Sequence, residues 1–344
     1  VRNQLTTKKE TNKVNNLFKN YIGQKSVVAF FSRLLERIAE KTATFQLGAH
    51  FFAGLAGAGK SNIMEAIATA VMAVDDRFEI VRIEATCTYN DLVTKLVEAG
   101  DNYRIFIFDE VAQFLNAGKH KKSGLLRQML ETGATHRREI DLGGNVYITA
   151  DRTRQLFLFA SNDDPKDEAL FGATGRSKIH VLENLSEVEK AQLFGLMIER
   201  YGANVTEAAL PFLHGRTRPN ARAVKTMAEE CATYGAITLE KAKALCKERG
   251  FFPDGWTRAD VSILGRLGQN DKGCQVNELS ALTGEDSSQT SGRLKHLVAA
   301  GLVQSINGRK ILAPGGLEYL VNLQGKQAKA KAGAAKGEGA KIAK

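Results

Sequence analysis

Apolar residues in this chain fall into short blocks whose spacing changes from one stretch to the next. Ala49–Ala53 (AHFFA), Ile105–Phe108 and Leu156–Ala160 are brief continuous apolar runs, the pattern of strands covered on both faces of a sheet. Asn62–Val74 instead repeats its apolar residues at helical spacing, as do Leu185–Tyr201, most of Val205–Cys246 and, within it, the stretch from Ala223 toward Tyr234. Asn184 or Ser186, and Thr206, are candidate helix caps. Strand runs separated by helical patterns predict an α/β core with a parallel sheet. Arg137–Gln155 reads as two extended segments around Gly143-Gly144-Asn145, a hairpin whose turn glycines make cheap. It carries Leu142, Val146 and Ile148, whose exposure would be a reason to expect a protein partner, an ordinary surface hairpin being the alternative.

The last third has a different rhythm. Arg258–Leu267, Val276–Thr283 and Ser287–Ala300 read as three helices, and LVQSINGRKIL alternates around Asn307–Gly308, a strong type I′ turn signal. Three helices followed by a hairpin make a winged helix, a module that serves either DNA contact or protein docking. In the DNA reading the third helix enters a groove. Ser288, Gln289, Arg293 and Lys295 are then the contacts from the helix, and Arg309 and Lys310 those from the wing. Phe251–Trp256, with Pro253, Asp254 and Gly255, marks a boundary ahead of this module.

Composition narrows the picture. At 344 residues and 43% hydrophobic content, the chain can bury two or three cores. The net charge of +10 invites a polyanion, but its distribution changes that inference. Residues 1–13 hold four Lys/Arg and one acid, and residues 324–344 hold six and one, so most of the excess sits at the two ends. Those ends are expected to be solvated arms that bind polyanions by counterion release. Cys87, Cys231, Cys246 and Cys274 form no CxxC pair and match no histidine spacing, which excludes a sequence-evident zinc or disulfide framework and fits a reducing cytoplasm. The six histidines are scattered singly, and packing or surface roles suffice for each. No apolar run reaches membrane-spanning length, and the polar, basic start does not read as a signal peptide.

The chemistry lies at the ends of the predicted strands. Gly54–Ser61, GLAGAGKS, follows one strand and opens a helix. Its glycines free backbone N–H groups to close around phosphates, Lys60 adds a charge toward the outermost of them, and the Ser61 hydroxyl can hold magnesium. The strand Ile105–Phe108 ends in Asp109 and Glu110. Asp109 suits the metal, and Glu110 can orient and deprotonate a water. A third strand ends in Ser161-Asn162, whose amide can reach the same water. Farther on, GRTRPNAR (Gly215–Arg222) sets three arginines ahead of a helix, where the positive helix end is unfavourable for them unless an anion lies nearby.

These features, in this order, resemble the AAA+ ATPases and more closely the RuvB family, which drives Holliday-junction branch migration. The implied fold is a P-loop AAA+ α/β parallel-sheet core with a helical lid and a C-terminal winged-helix domain. The implied division is a basic arm (1–16), an ATPase domain (17–183), a lid (184–254), the winged helix (255–323) and a basic tail (324–344). Tyr21-Ile22-Gly23-Gln24 matches the family's segment beside the adenine. Gly57, Ala58, Gly59, Lys60, Ser61 and Asn62 fall on the phosphate loop, Ser61 and Asp109 on the magnesium positions, Glu110 on the base and Asn162 on the first sensor. Arg218 falls on the second-sensor arginine, carried by a lid that moves with nucleotide state. Arg176 is the best match to the arginine finger given to a neighbouring subunit, although the family's Asp-Arg-Phe is Gly175-Arg176-Ser177 here, and Arg152 and Arg154 compete with it. The resemblance further implies ATP and magnesium, a hexameric ring on duplex or branched DNA, and a junction-recognising protein docked on the 137–155 hairpin. A replication initiator or helicase loader, acting as an ATP-dependent DNA-binding switch, is the alternative. A protein remodeller is a third, disfavoured by the lack of an aromatic-hydrophobic-glycine pore loop ahead of Asp109.

Overall fold

A computed structural model describes residues 17–19, 21–40, 46–100, 102–116, 119–131, 137–143, 145–162 and 176–325. The expected arm at 1–16 and nearly all of the tail at 324–344 lie outside the described residues. The chain divides into two compact units: residues 1–195 with 219–222, and residues 196–218 with 223–344. Most of the lid stretch and all of the described winged-helix stretch thus fall in the second unit.

In the first unit, β1 (Ala49–Ala53), β2 (Glu79–Ile83), β3 (Arg104–Phe108), β6 (Gln155–Ala160) and β7 (Lys178–Val181) form one sheet in the order β2-β3-β6-β1-β7, with every neighbouring pair parallel. The apolar runs have no polar alternation because both faces are covered. Ile105, Ile107, Leu156 and Leu158 pack on one face with Ile63, Ile67 and Val71 of helix α2 (Lys60–Val74) and with Phe31, Leu34 and Leu35 of α1 (Lys25–Ala39). Phe106, Phe108, Phe157 and Phe159 fill the other face, beside Leu92 and Leu96 of α3 (Tyr89–Ala99), Phe114 of α4 (Val111–Asn116) and Leu126 of α5 (Lys119–Leu130). The β3–β6 register sets Phe106 opposite Phe157 and Phe108 opposite Phe159, with ring centroids 4.9 Å apart in both pairs. That register aligns the carboxyl ends of β1, β3 and β6 along one edge of the sheet.

β4 (Arg137–Asp141) and β5 (Tyr147–Asp151) form the expected hairpin. Of Leu142, Val146 and Ile148, two turn toward the core. Ile148 faces Ile140 across the ladder, both are buried, and Leu142 packs partly buried against the same core. Val146, just ahead of β5, and Tyr147, its first residue, are exposed apolar side chains of the hairpin, 40% and 56% accessible. After β7, Ser186 caps α6 (Glu187–Arg200): its hydroxyl accepts from the Glu189 N–H, and the Glu189 carboxylate accepts from the Ser186 N–H.

The second unit contains α7 (Leu210–His214), most of α8 (Ala221–Thr233), α9 (Leu239–Arg249), α10 (Arg258–Gly268), α11 (Val276–Thr283) and α12 (Ser287–Ala299). Strands β8 (Asn204–Val205) and β9 (Ala236–Ile237) pair in it as well. Thr206 precedes α7 and receives the Leu210 N–H through its carbonyl. Strands β10 (Val303–Ile306) and β11 (Arg309–Leu312) pair antiparallel across Asn307 (φ 50°) and Gly308 (φ 77°), both left-handed as a type I′ turn requires. Cys274 bridges to Lys310, and residues 314–325 close the unit as α13. Trp256, Ile263, Leu264, Leu279, Leu294, Leu297 and Val303 form its core.

Candidate nucleotide site and its surroundings

The loop after β1 closes through its glycines. Gly54, Gly57 and Gly59 have φ of 154°, 85° and 94°. A Cβ on Gly57 would lie 2.9 Å from Asn220 Oδ1 and 3.0 Å from Arg222 Cβ, so only glycine fits there. Lys60 opens α2 and is 6% exposed. Its ammonium donates to the carbonyls of Gly54 (2.8 Å) and Leu55 (3.0 Å) and to Asn162 Oδ1 (2.8 Å). These are neutral acceptors that a more negative oxygen can replace.

Asp109 and Glu110 follow β3 directly. Ser61 Oγ donates to Asp109 Oδ2 at 2.7 Å, bringing together the two oxygen donors expected for magnesium. Among the described residues no group of three or more His, Cys, Asp or Glu gathers elsewhere as a metal site. Two protein oxygens suit magnesium, which takes its remaining ligands from phosphates and water. Glu110 is held at φ 55°, a left-handed conformation costly for a residue with a Cβ and frequent at functional positions. Its carboxylate accepts from the Asn162 side-chain amide and, at 3.4 Å, from the Asn162 N–H. Lys60, Ser61, Asp109, Glu110 and Asn162 therefore meet at the carboxyl edge of the sheet.

Tyr21 lies beside the loop, its hydroxyl 3.8 Å from where a Gly59 Cβ would stand. Burial pushes its pKa up to about 12, partly offset by a hydrogen bond with Asn62. Gly23 (φ 85°) and Gln24 (φ 53°) turn the chain sharply after Ile22. The Gln24 amide then exchanges two hydrogen bonds with the Glu183 backbone, tying this segment to the end of β7.

Arg218 belongs to the second unit. There its guanidinium donates to Asp260 and to the Gly255 carbonyl (3.2 Å), and stacks over Trp256 at 4.7 Å. Arg222, one of the three arginines of GRTRPNAR and not singled out among them, is the arginine of the first turn of α8. Its N–H donates to the Gly57 carbonyl at 3.3 Å, and its side chain is exposed beside the loop. The positive helix end acts on the first turn, and α8 starts at Ala221, so Arg222 is the arginine of the three that stands in it.

Arg176 precedes β7, at the sheet edge opposite the phosphate loop, and pairs with Glu131 at 2.6 Å, holding that carboxyl below its usual range. Arg152 and Arg154 precede β6 at the same edge. Arg152 donates to the Leu130 carbonyl at 3.1 Å, and Arg154 pairs with Asp151 at 3.6 Å. Arg176, Arg152 and Lys178 line a cavity of about 520 Å³ with Arg33 and Arg37 of α1. Beside it, His50 and His180 share a buried 3.1 Å contact between ring nitrogens. Burial lowers their pKa values to about 3 and about 4, so both are neutral packing residues at pH 7.

The four basic side chains expected to meet DNA divide. Arg293 of α12 is engaged within the unit, with Glu285 (2.5–2.9 Å), Thr257 Oγ1 (2.9 Å) and Asp260 (3.3 Å). Arg309 donates to the carbonyls of Lys272 and Gly273, and Lys310 to Ser305 Oγ. Lys295, Ser288 and Gln289 are exposed on α12. No helix among the described residues is long and apolar enough to cross a membrane.

No protein-family model matches the chain, and no curated protein does. Solved structures do. The Thermotoga maritima RuvB Holliday junction branch migration motor superposes with a TM-score of 0.68 at 16% identity, covering 88% of this chain and 96% of that one. A point mutant of the same protein gives 0.69 at 16% identity, covering 88% and 97%. At such identity the likeness carries the fold, and the fold of this chain is that of the RuvB-like AAA+ proteins.

Proposed function

We propose that this chain is an ATP-driven DNA motor that assembles as a ring on duplex or branched DNA and moves it, with branch migration of Holliday junctions as its task. The observation that carries this reading is the convergence of Lys60, Ser61, Asp109, Glu110 and Asn162 at one sheet edge, within a fold shared with a branch-migration motor. Lys60 exchanges its loop carbonyls for the outer phosphates of ATP. Glu110, oriented by Asn162, takes the proton of the attacking water. Ser61 and Asp109 are the residues to hold magnesium, which neutralises charge on the phosphates when bound. Arg222 is the second cation on the loop side.

Arg176 stands too far round the sheet to serve its own loop, which suits a finger offered to the next subunit. Under assembly conditions Arg176→Ala is expected to lose about 10³–10⁵ in turnover while nucleotide still binds. Ser288, Gln289 and Lys295 of α12 are the DNA contacts in a winged-helix reading of α10, α11, α12 and the β10–β11 hairpin. The exposed Val146 and Tyr147 are the hairpin's docking points for a junction-recognising partner.

The test is negative-stain imaging with ATP, magnesium and branched DNA, comparing the native chain with Glu110→Gln. Rings threaded by DNA that persist in the variant, together with strand movement only by the native chain, support the motor. ATP-dependent loading without movement by either protein replaces it with a replication initiator or helicase loader.

A further inference from the structure

Asp260 is completely buried, and it receives more than a helix start requires. Its Oδ2 accepts from the Thr257 N–H (2.7 Å), from the Thr257 hydroxyl (2.6 Å) and from Arg218, while Arg293 lies 3.3 Å from its Oδ1. The same chain contains a control. Thr88 and Asp91 form an identical capping box at the start of α3, yet there the carboxylate is exposed and accepts from the Thr88 N–H and hydroxyl with no arginine beside it among the described residues. Capping therefore explains Thr257 and leaves the two arginines to be explained.

Each arginine arrives from a different place. Arg218 ends a segment stitched to the 251–257 turn: Arg216 donates to the Phe251 carbonyl (2.7 Å), the Asp254 N–H donates to the Gly215 carbonyl (2.8 Å), and Arg218 covers Trp256. The approach is close enough that a Cβ on Gly255 would collide with the Arg218 backbone nitrogen. The next residues along the chain, Pro219–Arg222, pack with the phosphate loop, where the Arg222 N–H meets Gly57. Arg293 comes from the middle of α12, the helix that carries Ser288, Gln289 and Lys295.

We propose that Asp260 is a positioning residue that links the nucleotide site to α12, with Arg218 as the input and Arg293 as the output. The inference rests on the nucleotide-driven function proposed above. A displacement of Asn220–Arg222 on nucleotide binding pulls on Arg218. Because the carboxylate is sealed from water, its two guanidinium partners move together rather than exchanging for solvent.

Trp256 is the chain's single tryptophan, so the emission of the intact protein reports on the Arg218 stack directly. The experiment combines calorimetry with a non-hydrolysable ATP analogue and magnesium, tryptophan emission, and hydrogen exchange of α12, each variant being measured at saturating nucleotide. The native chain should change emission with the calorimetric midpoint and change exchange within 287–299. Arg218→Gln should lose both responses. Arg293→Gln should keep the emission response and lose the α12 response, a separation that general destabilisation does not produce. Arg218→Lys should partly restore coupling, because it keeps the charge and loses the stacked fork. Native binding without an emission change, unaltered responses in Arg218→Gln, or failure of Arg218→Gln to bind nucleotide each overturns the proposal. Absence of any calorimetric heat with the native chain instead removes the nucleotide reading beneath it, so the two failures are distinguishable.

Discussion

Two carboxylate clusters in this protein use similar residues to opposite ends. At the sheet edge, Ser61 and Asp109 face solvent, Lys60 holds neutral carbonyls, and Glu110 sits at φ 55°. In the second unit, Asp260 is sealed and accepts from Thr257, Arg218 and Arg293. Groups of the first kind have partners that can be exchanged for a ligand. Groups of the second kind have partners whose removal leaves a charge buried. The contrast shows that an arginine beside a motif is not thereby a ligand: GRTRPNAR contains one that meets the phosphate loop and one that meets Asp260.

The largest expected effect sharpens that contrast. Glu110→Gln should lower turnover by about 10²–10⁴ with unfolding midpoints nearly unchanged, measured by phosphate release and urea titration. Asp260→Ala should do the reverse, costing about 3–5 kcal/mol in urea unfolding because two arginines lose a buried partner. Equal stability losses in the two variants would erase the distinction between the clusters. Next in size, Arg222→Ala should weaken triphosphate binding by about 1.5–3 kcal/mol, the range for a charged hydrogen bond, in calorimetry that also compares ATP with ADP. The smallest effect at pH 7 concerns His50 and His180. Their folded pKa values, about 3 and about 4, lie below an ordinary histidine value of about 6.5. Their contribution to stability is therefore complete above about pH 6.5 and is lost as pH falls through the folded values. Replacing both with leucine should flatten the stability profile between about pH 6.5 and 4.

Much of this is legible in the sequence. Strands β1, β3 and β6 are continuous apolar runs, and the loop and acidic pair follow them directly, so spacing alone locates Lys60, Ser61, Asp109 and Glu110. Strand β2 (EIVRI) is shorter in apolar run and half exposed, so it leaves no comparable mark. Likewise β7 carries exposed Ile179 and Val181 beside buried His180, inverting the usual code at a sheet edge. Arg218 and Arg293 share an ambiguity: a basic residue near a functional segment looks the same whether its partner is a ligand or a buried acid. Asp260, at the third position of a capping box, resembles any helix start. In the hairpin, Ile148 is legible as apolar, but which face of the strand meets the core is not.

The central claim is that Lys60, Asp109 and Glu110 act on one magnesium-bound triphosphate. Its most direct test is calorimetric ATP binding together with phosphate release for the native chain, Lys60→Ala and Glu110→Gln. Lys60→Ala should lose affinity and turnover together, and Glu110→Gln should keep affinity and lose turnover. Unchanged affinity and phosphate release in Lys60→Ala would contradict the account.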